Sequence, residues 1–457
     1  MKKLLSIVLV LLMICSMMLT ACGGNVDPTE ATTTTTRVDT GVPVPPEDIT
    51  EGLAYELNAD GESYTLVGIG EYVGTVINIP ATYEGKPVTA ITTGAFKFNG
   101  EIVEVYIPDS VVEMGESAFS HCSNLQIISI GAGITSIPKF AFTGCAATEV
   151  VIPDTVTSID YTAFWDCELL ETIKLGNGIK ELGASYDSYY GEIRFGGFAD
   201  FDGCKSLVKI VVDDDHPTFT TIDGNLYSKD KTTIVKYALG KKDKTFEFPD
   251  HVTTIEEGGF CGSVYLEEIV IPSTVKTVSN WAFQDSENLR KATVEAGVEL
   301  IERWVFSVCP MLEEIIVSED NPNYKAVEGN LYTRDGKVFM QYACGKADTK
   351  FTVPGTVEKI QNQAFSYANN LVEIVVSEGV KEILGGAFDN CEKLEKVTLP
   401  KSLETIASSA FCLSYNCTSI VYKGTKAMWN DLEKNEIWDN GMSEYTIKCS
   451  DGTIKSQ

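Results

Sequence analysis

A phenylalanine returns along this chain as Phe96, Phe119, Phe142, Phe164, Phe201, Phe260, Phe283, Phe306, Phe365, Phe388 and Phe411. The steps between them are 23, 23, 22, 37, 59, 23, 23, 59, 23 and 23 residues. The unit is 23 residues, carrying one insertion of 14 and two of 36. A period of this length marks a stacked repeat array, and it constrains the fold more than any other feature. The surroundings of each anchor recur as well. Ala387-Phe388, Cys391, Leu394, Val397, Leu399 and Pro400 form one copy. Ala118-Phe119, Cys122, Leu125, Ile128 and Ile130 form another. Val397 and Leu399 alternate inward, which suits a short strand. A proline or glycine then turns the chain, and a second apolar segment returns, as in Leu403 and Ile406. One such coil cannot cover its own apolar side. Stacked coils cover one another and pair their strands in parallel. The expected fold is a β-rich solenoid with a parallel strand ladder, inserted β-hairpins and terminal caps.

The units IPDSVVEMGESAFSHCSNLQIISI and LPKSLETIASSAFCLSYNCTSIVY resemble the BspA-like leucine-rich repeats of bacterial surface proteins. The resemblance covers roughly residues 51–457. It departs where Asp200 precedes Phe201 and Gly259 precedes Phe260, so irregular coils are expected there. It implies a non-enzymatic protein that attaches to host proteins, other bacteria or extracellular polymers.

The N-terminus reads as an export signal over residues 1–21. Lys2 and Lys3 form a basic start, and the run from Leu4 to Leu19 is almost wholly apolar. Leu19-Thr20-Ala21-Cys22 resembles the lipobox of bacterial lipoproteins. That implies a lipid on Cys22 and a place on the extracellular face of the bacterial cell membrane. Residues 22–50, with Thr32 to Thr36 and Pro43, Pro45 and Pro46, have little to bury and are expected to form a disordered tether. Residues 51–421 are then the solenoid. It starts with a hairpin cap built around Asn58-Ala59-Asp60-Gly61. Residues 422–457 are a C-terminal cap with a short helix over 426–436.

The two long insertions are copies 105 residues apart, starting at Asp223 and Glu328. Each reads as strand, turn, strand, with Asp335-Gly336 as a turn signal. They are expected to be hairpin decorations. The 14-residue insertion, around 184–197, carries Tyr186, Tyr189, Tyr190 and Phe195. It either juts out as a ligand-binding loop or folds back over a neighbouring coil.

No constellation for catalysis stands out, and neither a metal site nor a cofactor is expected. Cys122, Cys145, Cys167, Cys204, Cys309 and Cys391 all lie three residues after a repeat phenylalanine, which is an address for a buried free thiol. Cys412, Cys417 and Cys449 are better disulfide candidates. Asp213-Asp214-Asp215-His216 lacks the spacing of a calcium loop and reads as a solvated turn. The formal charge of −29 becomes −31 once Lys2 and Lys3 are removed, which disfavours nucleic acid as a partner.

Two outward rows on the strands are expected to form the recognition face. One runs through Tyr106, Ser129, Val151, Lys174, Val211, Val270, Thr293, Ile316, Val375, Thr398 and Val421. The other includes Glu104, Lys209, Glu268, Lys291, Glu314, Glu373 and Lys396. The function expected is adhesion to an extracellular protein or glycan. Capture of glycan for a polymer-degrading system and a structural envelope role are the alternatives.

Overall fold

A computed structural model of the chain describes residues 43–160, 162–180, 182 and 201–456. Short strands stack one per coil and pair in parallel. Val76–Asn78, Glu104–Tyr106 and Ile127–Ser129 lead. Glu149–Val151, Thr172–Lys174 and Lys209–Val211 continue the stack. Glu268–Ile271, Lys291–Val294 and Glu314–Val317 form a second segment. Lys350–Val353, Glu373–Val376, Lys396–Leu399, Ser419–Tyr422 and Thr446–Cys449 form a third. Lys291 lies opposite Glu268 on one side and Glu314 on the other, so the sequence period is the register. Alternate residues such as Ile269, Ala292 and Ile315 turn into the core. A second ladder of two-residue strands runs on the return side, as in Thr254–Ile255, Thr277–Val278 and Leu300–Ile301.

The phenylalanines form a spine. Phe96, Phe119, Phe142 and Phe164 stack with ring centroids 5.1, 5.5 and 5.5 Å apart. Phe260, Phe283 and Phe306 repeat this at 5.1 and 5.5 Å, and Phe365, Phe388 and Phe411 at 5.3 and 4.8 Å. Backbone bonds hold the coils at that spacing. The Phe388 N–H donates to the Ala410 carbonyl at 2.7 Å, and Phe365 donates to Ala387 at 2.8 Å. Alanine before phenylalanine lets neighbouring coils approach this closely. Phe201 is tilted by 38° at 6.4 Å from Phe164, as its altered surroundings predict. Phe260 stacks regularly despite Gly259, because removing a methyl group leaves the ring's own contacts intact.

The cysteine address has a chemical reason. The thiols of Cys122, Cys145, Cys309 and Cys391 donate to the carbonyl of the phenylalanine one coil back, at 3.1–3.3 Å. Ser414 does the same to Phe388 at 2.7 Å. The position needs a small donor. Burial pushes the Cys122 thiol up to about 12, which keeps it protonated for that role. The eleven described cysteines are all free and buried. The disulfide expectation for Cys412, Cys417 and Cys449 is therefore not met. Cys412 is engaged by the side chains of Asp389 and Ser409, while Cys417 and Cys449 pack in the last core.

The inserted hairpins are not decorations. Phe219–Ile222 and Asn225–Ser228 pair antiparallel, and Thr233–Lys236 then pairs in parallel with Thr254–Ile255. The Ile210 N–H donates to the Gly224 carbonyl at 2.8 Å, and Ile315 to Gly329 likewise. Each hairpin thus bridges both ladders. Adjacent residues on its middle strand are buried on opposite faces. Leu226 closes the first core and Tyr227 opens the second, while Leu331 and Tyr332 do the same one block on. A strand covered on both faces gives up the polar alternation of an exposed one.

The ends are capped. Ala54–Leu57 and Tyr64–Gly68 form the expected N-terminal hairpin. The C-terminal helix spans only Lys426–Asp431, with the Thr425 side chain accepting from the Met428 N–H. It stops short of residue 436 because Glu433–Lys434 is recruited as a rung against Thr405–Ile406. Trp438 closes the spine edge-on against Phe411. Replacing Phe283 by Ala removes a fully buried ring in mid-spine and should cost about 3–5 kcal/mol, seen as a lowered melting temperature.

Candidate binding surface

The outer face of the long ladder is a regular surface built from consecutive rungs. Along the middle and last segments, burial alternates residue by residue, and two rows stay open. One row alternates in charge. The Lys350 and Lys396 ammonium groups lie 3.1 and 3.0 Å from the two oxygens of Glu373. The Lys396 bond, and then the Lys350 bond, hold that carboxyl below the usual carboxylate range. The other row is β-branched. It reads Val270, Thr293 and Ile316, then Thr352, Val375, Thr398 and Val421. Val270 is 47 % exposed, so this row leaves apolar surface open to solvent.

The first coils differ. Glu104 and Tyr106, expected to face outward into solvent, are 6 % and 2 % exposed. Residues 43–50 cover them. The Thr50 N–H donates to the Asn78 carbonyl at 2.9 Å, which seals the open edge of the first rung. The Asn78 side-chain amide then donates to the Pro46 and Asp48 carbonyls at 3.0 and 2.9 Å. Ser129 Oγ donates to the Pro43 carbonyl at 3.4 Å. Beneath this strap the Tyr106 hydroxyl donates to Glu104 at 2.7 Å. The end of the segment read as tether is therefore part of the fold. Asn78 on an edge strand opposite a proline-rich run was the sequence signal for it.

Cys22, Tyr186, Tyr189, Tyr190 and Phe195 lie outside the described residues. Among the described residues, no group of three or more His, Cys, Asp and Glu side chains is placed to hold a metal ion. The run from Asp213 to His216 is a structural turn. Asp213 pairs with Lys174 at 2.9 Å. His216 is wholly buried, and its Nδ1 accepts the N–H groups of Thr218 and Phe219 at 3.2 and 3.1 Å. Nε2 lies 3.2 Å from the Gly176 carbonyl, so the ring is neutral with its proton on Nε2. One block on, Asn321 does the same job. Its Oδ1 accepts from Asn323 and Tyr324 at 2.9 Å, and its amide donates to Glu295 and Val298.

Residues 89–194, 232–328 and 337–456 match the model of the BspA type leucine rich repeat region, in six copies. The chain belongs to the BspA-type leucine-rich repeat family. Some solved structures are similar to the chain at low identity. A leucine-rich repeat protein from Eubacterium ventriosum is 18 % identical over 86 % of this chain and 94 % of its own, with a TM-score of 0.44. One from Bacteroides ovatus is 20 % identical over 87 % and 99 %, with a TM-score of 0.41. A leucine rich cell surface protein from Faecalibacterium prausnitzii is 21 % identical over 86 % and 99 %, at 0.38. No curated protein matches the chain. Among the described residues of this BspA-type array the core falls into three clusters, and each hairpin separates the facet over one from the facet over the next.

Burial, the largest cause, holds His216 below the ordinary histidine value. Its folded value is thus lower than its unfolded one, near 6.5. The stability it contributes is present above the unfolded value and is lost as pH falls through the folded one. His216→Asn should keep the fold and remove this loss. The melting-temperature difference between variant and parent should grow from pH 7.5 to pH 5. A difference constant over that range would overturn the assignment.

Proposed function

We propose that this BspA-type protein is a lipid-anchored adhesin of the bacterial cell surface that binds extracellular macromolecules through the outer ladder face. The observation that carries this reading is the β-branched row beside the charge-paired row. Thr352, Val375, Thr398 and Val421 are aligned on four consecutive rungs, with Thr352 exposed and the other three half-buried on the outer face. Exposed apolar strips on a rigid scaffold mark interaction surfaces. The ion pairs fix the side chains that border the strip, so a partner meets a preorganised surface and less order is lost on binding. No nucleophile–base pair is evident on this face, and binding needs none.

The anchor follows from the Leu19-Thr20-Ala21-Cys22 tetrad behind an apolar export run. Among the described residues no helix is long and apolar enough to cross a membrane. Attachment through Cys22 supplies the membrane contact in its place.

Two experiments test the two halves of this reading. Cys22→Ala should abolish acylation and move the protein out of the membrane fraction. A variant that stays acylated and membrane-bound refutes the anchor. For the surface, the full chain is screened against arrays of matrix proteins and glycans beside a Val270→Lys, Val375→Lys double variant. Capture should fall at least about tenfold in the variant, since two desolvated apolar contacts are replaced by charges. Equal capture by both proteins would move the binding site off the ladder.

A further inference from the structure

We propose that the open outer face of the last ladder segment is a docking track for an extended, proline-containing polypeptide in the polyproline II conformation. This rests on the reading of that face as the interaction surface, and it names the class of partner.

The strap over the first coils shows the geometry. Pro43 and Pro46 are three residues apart. Their carbonyls accept from Ser129 and Asn78, which stand two rungs apart in one aligned row through Tyr106. Three residues of polyproline II advance about 9.3 Å. Two rungs of a parallel ladder advance about 9.6 Å. The two periods nearly coincide, so every third carbonyl of such a chain meets an equivalent position on the ladder. Pro43, Pro45 and Pro46 fix their own φ and hold the preceding residues extended, so the strap is ordered before it docks.

The last segment repeats that spacing without a strap. Thr352, Val375, Thr398 and Val421 are aligned on consecutive rungs of the open face. A hydroxyl therefore recurs every second rung, with a branched apolar group between. Thr352 and Thr398 are spaced like Asn78 and Ser129 and can donate to carbonyls three residues apart. Val375 and Val421 supply flat apolar contact for proline rings. The backbone groups of these rungs are already used in parallel pairing. An ordinary strand laid across them would bury N–H groups with nothing to accept them, at a cost. Proline has no N–H to bury. The track thus selects proline-containing segments over other extended chains.

The probe is a labelled decapeptide of residues 41–50, GVPVPPEDIT, titrated into the full chain and read by fluorescence polarisation. A control peptide has glycine at each proline. The proline peptide should bind, and the glycine peptide at least about tenfold more weakly, because its chain must be ordered on docking. Thr352→Ala and Thr398→Ala should each weaken binding about two- to tenfold. Val375→Lys should abolish it, with circular dichroism confirming that the variant is folded. Equal binding of both peptides, or binding indifferent to these three substitutions, overturns the proposal. If Val375→Lys blocks capture of array macromolecules while neither peptide binds, the surface reading stands and the polyproline track falls. If the substitution changes neither readout, both fall.

Discussion

The stacking of each buried phenylalanine on the ring one coil away is the interaction on which the rest of this structure depends. A single 23-residue coil has no interior of its own; the ring of Phe283 is enclosed only because Phe260 and Phe306 lie above and below it. Everything else at that position serves the close approach. The residue before most of the rings, usually alanine, gives its carbonyl to the N–H of the aromatic residue one coil back, and a thiol or hydroxyl three residues on reaches back to the phenylalanine carbonyl. The core is therefore a line rather than a centre. Its stability is a sum of neighbour terms, and a local defect such as the tilted Phe201 stays local.

The hairpins follow from the same constraint. A repeat array of this kind can be lengthened by duplication only if the joint buries both ends it meets. Asn225–Ser228 and Asn330–Thr333 do so with a Leu-Tyr pair facing opposite ways. The duplicated block also serves as an internal comparison. Asp202, pushed up to about 6 first by burial, feels the buried Lys236. At the same places 105 residues on stand Ser307 and Gln341, so the charges change together. His216 and Asn321 likewise differ in chemistry and agree in role, each offering one acceptor to two N–H groups. What the duplication keeps is hydrogen-bonding capacity, and the charge carried at a site is free to vary.

Much of this was legible in the sequence because the array is periodic. The 23-residue step gives the strand register directly, and the outward rows from Val270 to Val421 fall where alternation puts them. What escaped was non-periodic. The strap over Glu104 and Tyr106 depends on Asn78 meeting a proline-rich run some thirty residues earlier, a contact no repeat announces. The hairpins read correctly as strand, turn and strand, yet their place between cores rests on two adjacent apolar residues, Leu226 and Tyr227, whose opposite directions become meaningful only once both neighbours are present. The helix after Thr425 is shorter than its local propensity implies, because Glu433–Lys434 completes a rung instead.

Charge makes the last facet unlike the rest of the molecule. The chain as a whole carries a formal −29. Yet the outer positions from Lys350 to Lys448 place three lysines, Lys350, Lys396 and Lys448, against one carboxylate, Glu373. The excess acid must therefore lie on other surfaces. At physiological salt those charges act over roughly 8 Å, so a segment on this facet feels mainly the local lysines. A proline-rich strand followed by acidic residues, the order found in the strap itself with Glu47 and Asp48 after Pro46, would meet apolar rungs first and a basic border beside them. Each rung contributes little alone. A track that repeats the same small contact at a fixed spacing gains affinity from the number engaged together, and it loses nearly all of it when the spacing is wrong.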